Sequence, residues 1–135
     1  MKKDPRVYLV HILECTEKIE RFTRGGREAF LREELIQDAV IRNLEIIGEA
    51  AKRVDDEYRA AHSQIPWRGM AALRDVLIHQ YEGIELDRVW TVVERDLPLI
   101  KQAIAAALPP LEQLERELAG EVDDNDGGGQ MRQWE

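Results

Sequence analysis

Apolar residues recur along this chain at steps of three and four, and no segment of useful length alternates between apolar and polar positions. Steps of three and four place side chains along one side of an α-helix, whereas strict alternation would indicate a β-strand. The first such stripe consists of Tyr8, Ile12, Cys15, Ile19 and Phe22. The pattern therefore predicts an all-α protein.

Helix-capping and helix-breaking residues between these stripes set the helix boundaries. Asp4-Pro5 is typical of a helix start, because Asp caps the first amides and Pro suits the first turn, and Gly25-Gly26 ends that helix. A second, longer helix is predicted from about residue 27 or 32 to Tyr58. Its apolar positions cover more than one stripe, so we expect it to be central or to lie in an interface. A loop then occupies residues 61–66, and the next helix runs from about Pro66 to Tyr81.

The last third of the chain is also helical by this criterion. A helix begins near Asp87, and Pro98 is expected to kink or break it, because Pro lacks the amide that an inner helical residue donates. A short amphipathic helix follows Pro109-Pro110. Four or five helices with short connections predict an up-and-down bundle. We divide the chain into one helical domain, residues 1–119, and an acidic, Gly-rich tail, residues 120–135, that we expect to be mobile.

Length and composition limit the class of protein. A chain of 135 residues is long enough for one domain with a real core. It has no run of the roughly 20 apolar residues that a membrane span needs, and no recognisable signal peptide. Its single cysteine, Cys15, lies in an apolar stripe, which favours packing over nucleophilic chemistry and a reduced compartment. These features predict a cytoplasmic protein without a membrane partner.

The charge is negative but unevenly distributed. The net charge is −8, which argues against non-specific coating of nucleic acid. Half of that excess lies beyond residue 119, where five acidic residues face only Arg132. The folded part is therefore only mildly acidic. It leaves room for a local basic cleft that could recognise RNA.

The stretch from Arg74 to Tyr81, Arg-Asp-Val-Leu-Ile-His-Gln-Tyr, carries the most informative chemistry. Arg is a permanent cation that grips phosphate, and His transfers protons near neutral pH, so Arg74 and His79 could cleave a phosphodiester without a metal. On one straight helix the two positions are about 140° apart. Either the helix ends near His79, or a second copy of the motif in a homodimer completes the site. Taken alone, this octapeptide is a weak signal.

Other polar groups add little independent chemistry. His11, His62 and His79 are too scattered to predict a metal site. Asn43, Gly48 and Glu49 interrupt the apolar second helix, where Gly48 is either a packing notch or, with its polar neighbours, a brace for the Arg/His site. Ile65-Pro66-Trp67 is better suited to anchor the entry to the motif helix than to stack on a base.

Taken together, these segments resemble the HepT family of the HEPN superfamily over about residues 4–108. The resemblance depends on segments in a fixed order. They are Arg42-Asn43-Leu44-Glu45 followed by Gly48-Glu49-Ala50, then Ile65-Pro66-Trp67, then Arg74 to Tyr81, and last Val89-Trp90 with Asp96-Leu97-Pro98. The agreement of four segments outweighs the weakness of the octapeptide by itself.

The resemblance implies an all-helical homodimer whose two motif helices line a shared cleft. It implies the toxin of a type VII-like toxin–antitoxin module, a metal-independent endoribonuclease that needs no cofactor and has transfer RNA among its candidate targets. Arg74 and His79 match the catalytic pair, with Asp75, Asn43 and Glu49 in support.

Tyr81 matches the tyrosine that a cognate minimal nucleotidyltransferase, the antitoxin, modifies with AMP to silence the toxin. A larger complex with this partner is also implied. The alternative function is a non-catalytic nucleotide- or partner-binding module that docks the nucleotidyltransferase.

Overall fold

Helices make up the described part of the chain. The computed structural model describes the backbone of residues 3–80 and 85–126, and within these ranges all side chains except those of residues 74–76, 78–80 and 121–126. These residues form only helices and no strand, which confirms the all-α prediction. The elements are α1 (Pro5–Phe22), α2 (Gly26–Arg32), α3 (Glu34–Arg53), α4 (Asp56–Ala61), α5 (Trp67–Gln80), α6 (Leu86–Thr91), a π-helix (Val92–Asp96), α7 (Leu97–Ala107) and α8 (Leu111–Asp126).

Helix α1 begins where the sequence predicts. The Asp4 carboxylate accepts a hydrogen bond of 2.9 Å from the Arg6 amide, which satisfies one of the amides left free in the first turn. The Arg6 guanidinium also donates to Asp4, and this hydrogen bond holds the pKa of the carboxyl below its ordinary value. Gly26, with φ of 89°, adopts the left-handed conformation between α1 and α2, which a side chain would disfavour.

The single long helix predicted up to Tyr58 is wrong in one respect, because the structure divides it into α2, α3 and α4. Glu33 has extended backbone angles and separates α2 from α3. Val54 and Asp55 are also extended, and the Asp55 carboxylate then caps α4 by accepting from the Tyr58 amide at 2.9 Å. The extended backbone at Glu33 and the polar cap at Asp55 thus divide a helix that the apolar pattern alone would continue.

Helix α3 is the centre of the bundle, as its broad apolar surface predicted. It packs against α1 on one side and α5 on another, and α1 also contacts α7. The side chains of Leu9, Ile12 and Ile19 from α1 and of Val40 and Ile47 from α3 are completely buried in the same core. Burial of this continuous apolar core is the main force that holds the helices together.

Pro98 produces the interruption that the sequence predicts, in the form of a π-helix. Pro98 is the second residue of α7, and the amide of the preceding Leu97 donates to the carbonyl of Val92, five residues back. The wider turn accommodates a residue that has no amide hydrogen to donate. In the same region the Trp90 ring packs against Phe30, with their centroids 5.5 Å apart.

Helix α8 extends further than the predicted domain boundary. Its backbone stays helical to Asp126, so the first seven residues of the predicted tail continue this helix. Leu114 is 2% exposed, and an ion pair of 2.7 Å between Arg6 and Glu117 joins α8 to α1. The mobility of the tail and the division at residue 119 stay predictions. None of the helices in the described ranges combines the length and apolar character that crossing a membrane requires.

Candidate active site

The motif helix α5 is fixed to the bundle through one face. Met70, Leu73 and Leu77 recur at steps of three and four and are at most 5% exposed, so this face is part of the core. Arg74, Asp75 and His79 lie on the same helix, between or just after these buried residues. Their backbone is described and their side chains are not.

The angular separation of the two catalytic candidates persists in the structure. Helix α5 continues through position 79 to Gln80, so positions 74 and 79 belong to one helix. By helical geometry, position 74 is roughly 65° and position 79 roughly 150° from the mean direction of the buried face. A single straight helix therefore presents the two positions in different directions. Tyr81, the predicted modification site, lies outside the described residues.

The entry to α5 is anchored as predicted. Ile65 is 1% exposed, and the Trp67 indole donates a hydrogen bond of 3.1 Å to the His62 carbonyl. The Tyr58 ring stacks on His62 at 3.9 Å and meets Trp67 edge-on, and burial raises the pKa of its phenol. The Arg59 guanidinium lies near the Trp67 ring and donates to the Ala51 carbonyl at 2.7 Å. These contacts connect the end of α3 to the start of the motif helix.

The two predicted supporting residues on α3 lie in different environments. Asn43 is 7% exposed, and its amide nitrogen donates to the Ala39 carbonyl at 2.8 Å. Its side-chain oxygen is buried and has no hydrogen-bond partner among the described residues. Glu49 is exposed and lines a cleft. The structure therefore does not bring Asn43 and Glu49 onto one polar surface, as their spacing also indicated. Gly48, between them, is buried.

A cleft of about 510 Å³ opens between α1, α3 and α5. Its apolar parts come from Ile46 and Ala50 on α3 and from Leu77 on the motif helix, while α1 contributes Tyr8 and His11. Pockets of roughly 300–1,000 Å³ are the usual size for small-ligand sites. Through Leu77, the motif helix forms part of the wall of this cleft.

The same cleft contains five charged residues. They are the cations Lys3, Arg42 and Arg53 and the carboxylates Glu45 and Glu49. None of them forms a salt bridge within the described ranges, whereas other charged side chains of the molecule do, such as those of Arg6 and Lys101. The cleft is therefore slightly cationic in a chain of net charge −8.

Sequence reasoning missed most of these residues. Lys3, Tyr8, His11 and Arg53 received no site assignment, although Arg42 lay in a segment singled out for its family resemblance. A signal was present in α3, because positions 42, 45, 49 and 53 recur at steps of three and four on the side opposite the buried stripe. Such a row is usually a solvated helix face, so only the neighbouring helices reveal that it lines a cleft.

Comparison with known protein families gives a clear result. The model of the ribonuclease HepT-like family matches residues 12–107, which include α3, the motif helix and the π-helix. The chain belongs to the ribonuclease HepT-like family. This confirms the resemblance inferred from the order of its segments. Within the described residues, no group of three or more His, Cys, Asp or Glu side chains could hold a metal ion.

Individual relatives of this HepT-like chain are moderately similar to it. A probable ribonuclease HepT of Thermococcus cleftensis is 46% identical over 102 residues, which cover 75% of this chain and 93% of that protein. A Caldanaerobacter subterraneus protein named as an RNase is 39% identical, with coverage of 78% and 96%. A Methanocaldococcus jannaschii protein named for a gamma-glutamylcyclotransferase and an RNase is 43% identical over 83% of this chain. The match spans about half, 51%, of that longer protein. No solved structure is significantly similar to the chain.

Proposed function

We propose that this HepT-like protein is a metal-independent endoribonuclease that acts as the toxin of a type VII-like toxin–antitoxin module. The observation that carries the proposal is the family match, which spans the motif and the α3 and α5 walls of the cleft. The slightly cationic character of that cleft supports an RNA substrate, because local positive charge offsets the repulsion between an acidic protein and phosphate.

RNA supplies its own nucleophile, so the protein needs only to move protons and stabilise charge. His79 takes the proton of the 2′-hydroxyl, and the 2′-oxygen attacks phosphorus. The bond from phosphorus to the 5′-oxygen breaks, and the imidazolium returns the proton to that oxygen. The products are a 2′,3′-cyclic phosphate and a 5′-hydroxyl. Arg74 stabilises the negative charge on the non-bridging oxygens.

The activity is tested with purified protein and short single-stranded RNA in buffer with EDTA. We expect His79→Ala and Arg74→Ala to lower the cleavage rate by about 10²- to 10⁴-fold, the usual contribution of such groups. Arg68→Ala is the matched control, since Arg68 is an exposed arginine on the same helix. Failure of the folded wild type to cut any RNA, with or without metal, would favour the non-catalytic partner-binding alternative. Cleavage only with added metal would contradict metal independence.

We further propose that the functional unit is a homodimer in which Arg74 and His79 of different protomers act on one phosphate. This arrangement is supported by the angular separation of the two positions on α5. Mixing inactive Arg74→Ala and His79→Ala chains should then restore about a quarter of wild-type activity, because half of the dimers are mixed and each has one intact site. If the mixture stays inactive although native mass spectrometry shows mixed dimers, each site uses residues of one chain.

We propose that a cognate nucleotidyltransferase, the antitoxin, silences the toxin by transferring AMP to Tyr81. We also propose that this antitoxin forms a larger complex with the toxin. The added phosphate would bring negative charge near the groups that bind RNA phosphate. Intact mass after co-expression should show adenylyl additions on the wild type and on Tyr58→Phe, the control, but not on Tyr81→Phe. Equal modification of all three would place the acceptor elsewhere. Growth arrest by the toxin alone, relieved by the partner, tests the cytoplasmic toxin role.

A further inference from the structure

The cleft between α1, α3 and α5 combines features that a general phosphate-binding surface would not need. We propose that it is a guanine-selective subsite that holds one nucleotide of the RNA substrate next to the cleaved linkage. The inference rests on the proposed ribonuclease function, and it assigns the base preference of that function to Glu45 and Glu49. Both line the cleft without a salt bridge in the described part of the chain.

The size and position of the cleft suit a single nucleotide. Its volume of about 510 Å³ lies in the range of pockets that enclose small ligands. One wall is Leu77 of the motif helix, which is about 60° round the helix from position 74, so a nucleotide seated here lies on the same side of the helix as the Arg74 position. Tyr8 offers an aromatic ring, the usual stacking partner for an unpaired base.

The order of charges along α3 suits the two chemically different parts of a nucleotide, its phosphate and its base. Arg42, Glu45, Glu49 and Arg53 follow one another on one row of the helix, so the two carboxylates lie between two cations. At 1.5 Å per residue, the arginine positions are roughly 16 Å apart along the axis and the carboxylate positions roughly 6 Å. A phosphate could therefore contact one of the arginines while the base beside it lies against the carboxylates. A simple anion would be repelled by the carboxylates.

Carboxylates select the base through its hydrogen-bonding edge, because ionised Glu only accepts hydrogen bonds. Guanine presents two neighbouring donor groups, N1–H and the N2 amino group, on its Watson–Crick edge, and one carboxylate can accept from both. Adenine and cytosine each place a ring acceptor beside their single amino group, and uracil flanks its N–H with two carbonyls. These three bases would direct an acceptor at a carboxylate, which costs binding energy.

The test is binding of fully 2′-O-methylated, uncleavable oligonucleotides that differ at one position within a uridine background. Anisotropy titrations of the full chain should show the guanine oligomer binding about ten- to a hundred-fold more tightly than the adenine one, with inosine in between because it lacks the N2 amino group. Glu45→Gln combined with Glu49→Gln should reduce this preference to within about two-fold. Glu34→Gln, on an exposed glutamate of the same helix, should leave it unchanged.

A second variant separates base selection from phosphate binding. Arg53→Gln should weaken all oligonucleotides alike and lower the salt dependence of binding by about one phosphate contact, and Arg68→Gln should change neither. A preference for guanine that survives in the double glutamine variant, or no preference in the wild type, would overturn the subsite. If the protein cleaves RNA but shows no preference for guanine, the subsite is overturned and the ribonuclease proposal stands. If the protein binds guanine oligonucleotides selectively but cleaves no RNA, the ribonuclease proposal is overturned and the subsite stands.

Discussion

Helix α3 has two faces whose side chains differ in their contacts. The side chains of one face are packed in the core, and the charged side chains of the other face have no salt bridge in the described residues. One face is buried against α1 and α5, with Val40 and Ile47 completely enclosed. The other carries Arg42, Glu45, Glu49 and Arg53 along the cleft, and these charges have no salt-bridge partners in the described residues. A helix needs only the first face to be held in the bundle. The second face is therefore where we expect substitutions to affect ligands and spare the fold.

Asn43 complicates this contrast, because it is a polar residue inside the buried face. Its side-chain oxygen is buried and finds no hydrogen-bond partner in the part of the chain that the structure describes, an arrangement that costs free energy in a core. Stability alone would favour an apolar residue at this position. The two faces therefore do not differ simply as apolar against polar. If Asn43 braces the motif helix, it serves the active site and not the stability of the core.

The strongest test of the contrast uses two neighbouring isoleucines. Ile47 is completely buried in the core, and Ile46 is half-buried at the cleft. Ile47→Ala should lower the free energy of unfolding by about 2–5 kcal/mol, because it removes buried surface and leaves a cavity. Ile46→Ala should cost clearly less, about 1 kcal/mol. Denaturant titrations measure both, and equal losses would mean that the cleft face is part of the core.

Asn43→Leu tests whether the polar residue on the buried face of α3 lowers the stability of the fold. Leu has the same branching and removes the oxygen that lacks a hydrogen-bond partner in the described residues, so the free energy of unfolding should rise by roughly 1–2 kcal/mol despite the lost bond to Ala39. If Asn43 braces the active site, RNA cleavage should fall at the same time. A variant that is less stable than the wild type would show that Asn43 is satisfied in solution, for example by a buried water molecule.

Asp4 provides a paired charge to compare with the unpaired charges of the cleft. Asp4→Ala removes the cap of α1 and should cost about 1 kcal/mol at neutral pH. Because Arg6 holds the pKa of Asp4 below its ordinary value of 3.8, this stabilisation is present above that pH and is lost as the pH falls through the lower folded value. Thermal unfolding at several pH values should show the difference from wild type shrinking under acid. Asp38→Ala, on an exposed carboxylate, should show no such trend.

The smallest effect is expected on the cleft face itself. Glu45→Gln and Glu49→Gln should each change the free energy of unfolding by less than about 0.5 kcal/mol, because neither carboxylate forms a salt bridge in the described ranges. Urea titrations beside Glu34→Gln provide the measurement. A loss of more than about 1 kcal/mol from either variant would mean that these carboxylates stabilise the fold, and the distinction between the two faces would fail.

Much of the fold could be predicted from local signals. Asp4-Pro5 marked the start of α1, and Pro98 marked the interruption before α7, because capping and the missing amide of proline act within one turn. The break at Val54 escaped prediction, and the break at Glu33 agrees only with the alternative helix start near residue 32. They interrupt a continuous apolar pattern, and the pattern reports which residues are buried rather than where the backbone turns.

The sequence by itself determined the family, the all-α class and the identity of the catalytic candidates, because each of these depends on residue type and spacing along one chain. Only the tertiary structure decided that α3 lies between α1 and α5, that Asn43 is buried while Glu49 is exposed, and that Lys3, Tyr8, Arg42 and Arg53 meet in one cleft. Residues from three helices come together through long-range packing of apolar faces. No local pattern records which faces will meet, since burial of apolar surface is non-directional.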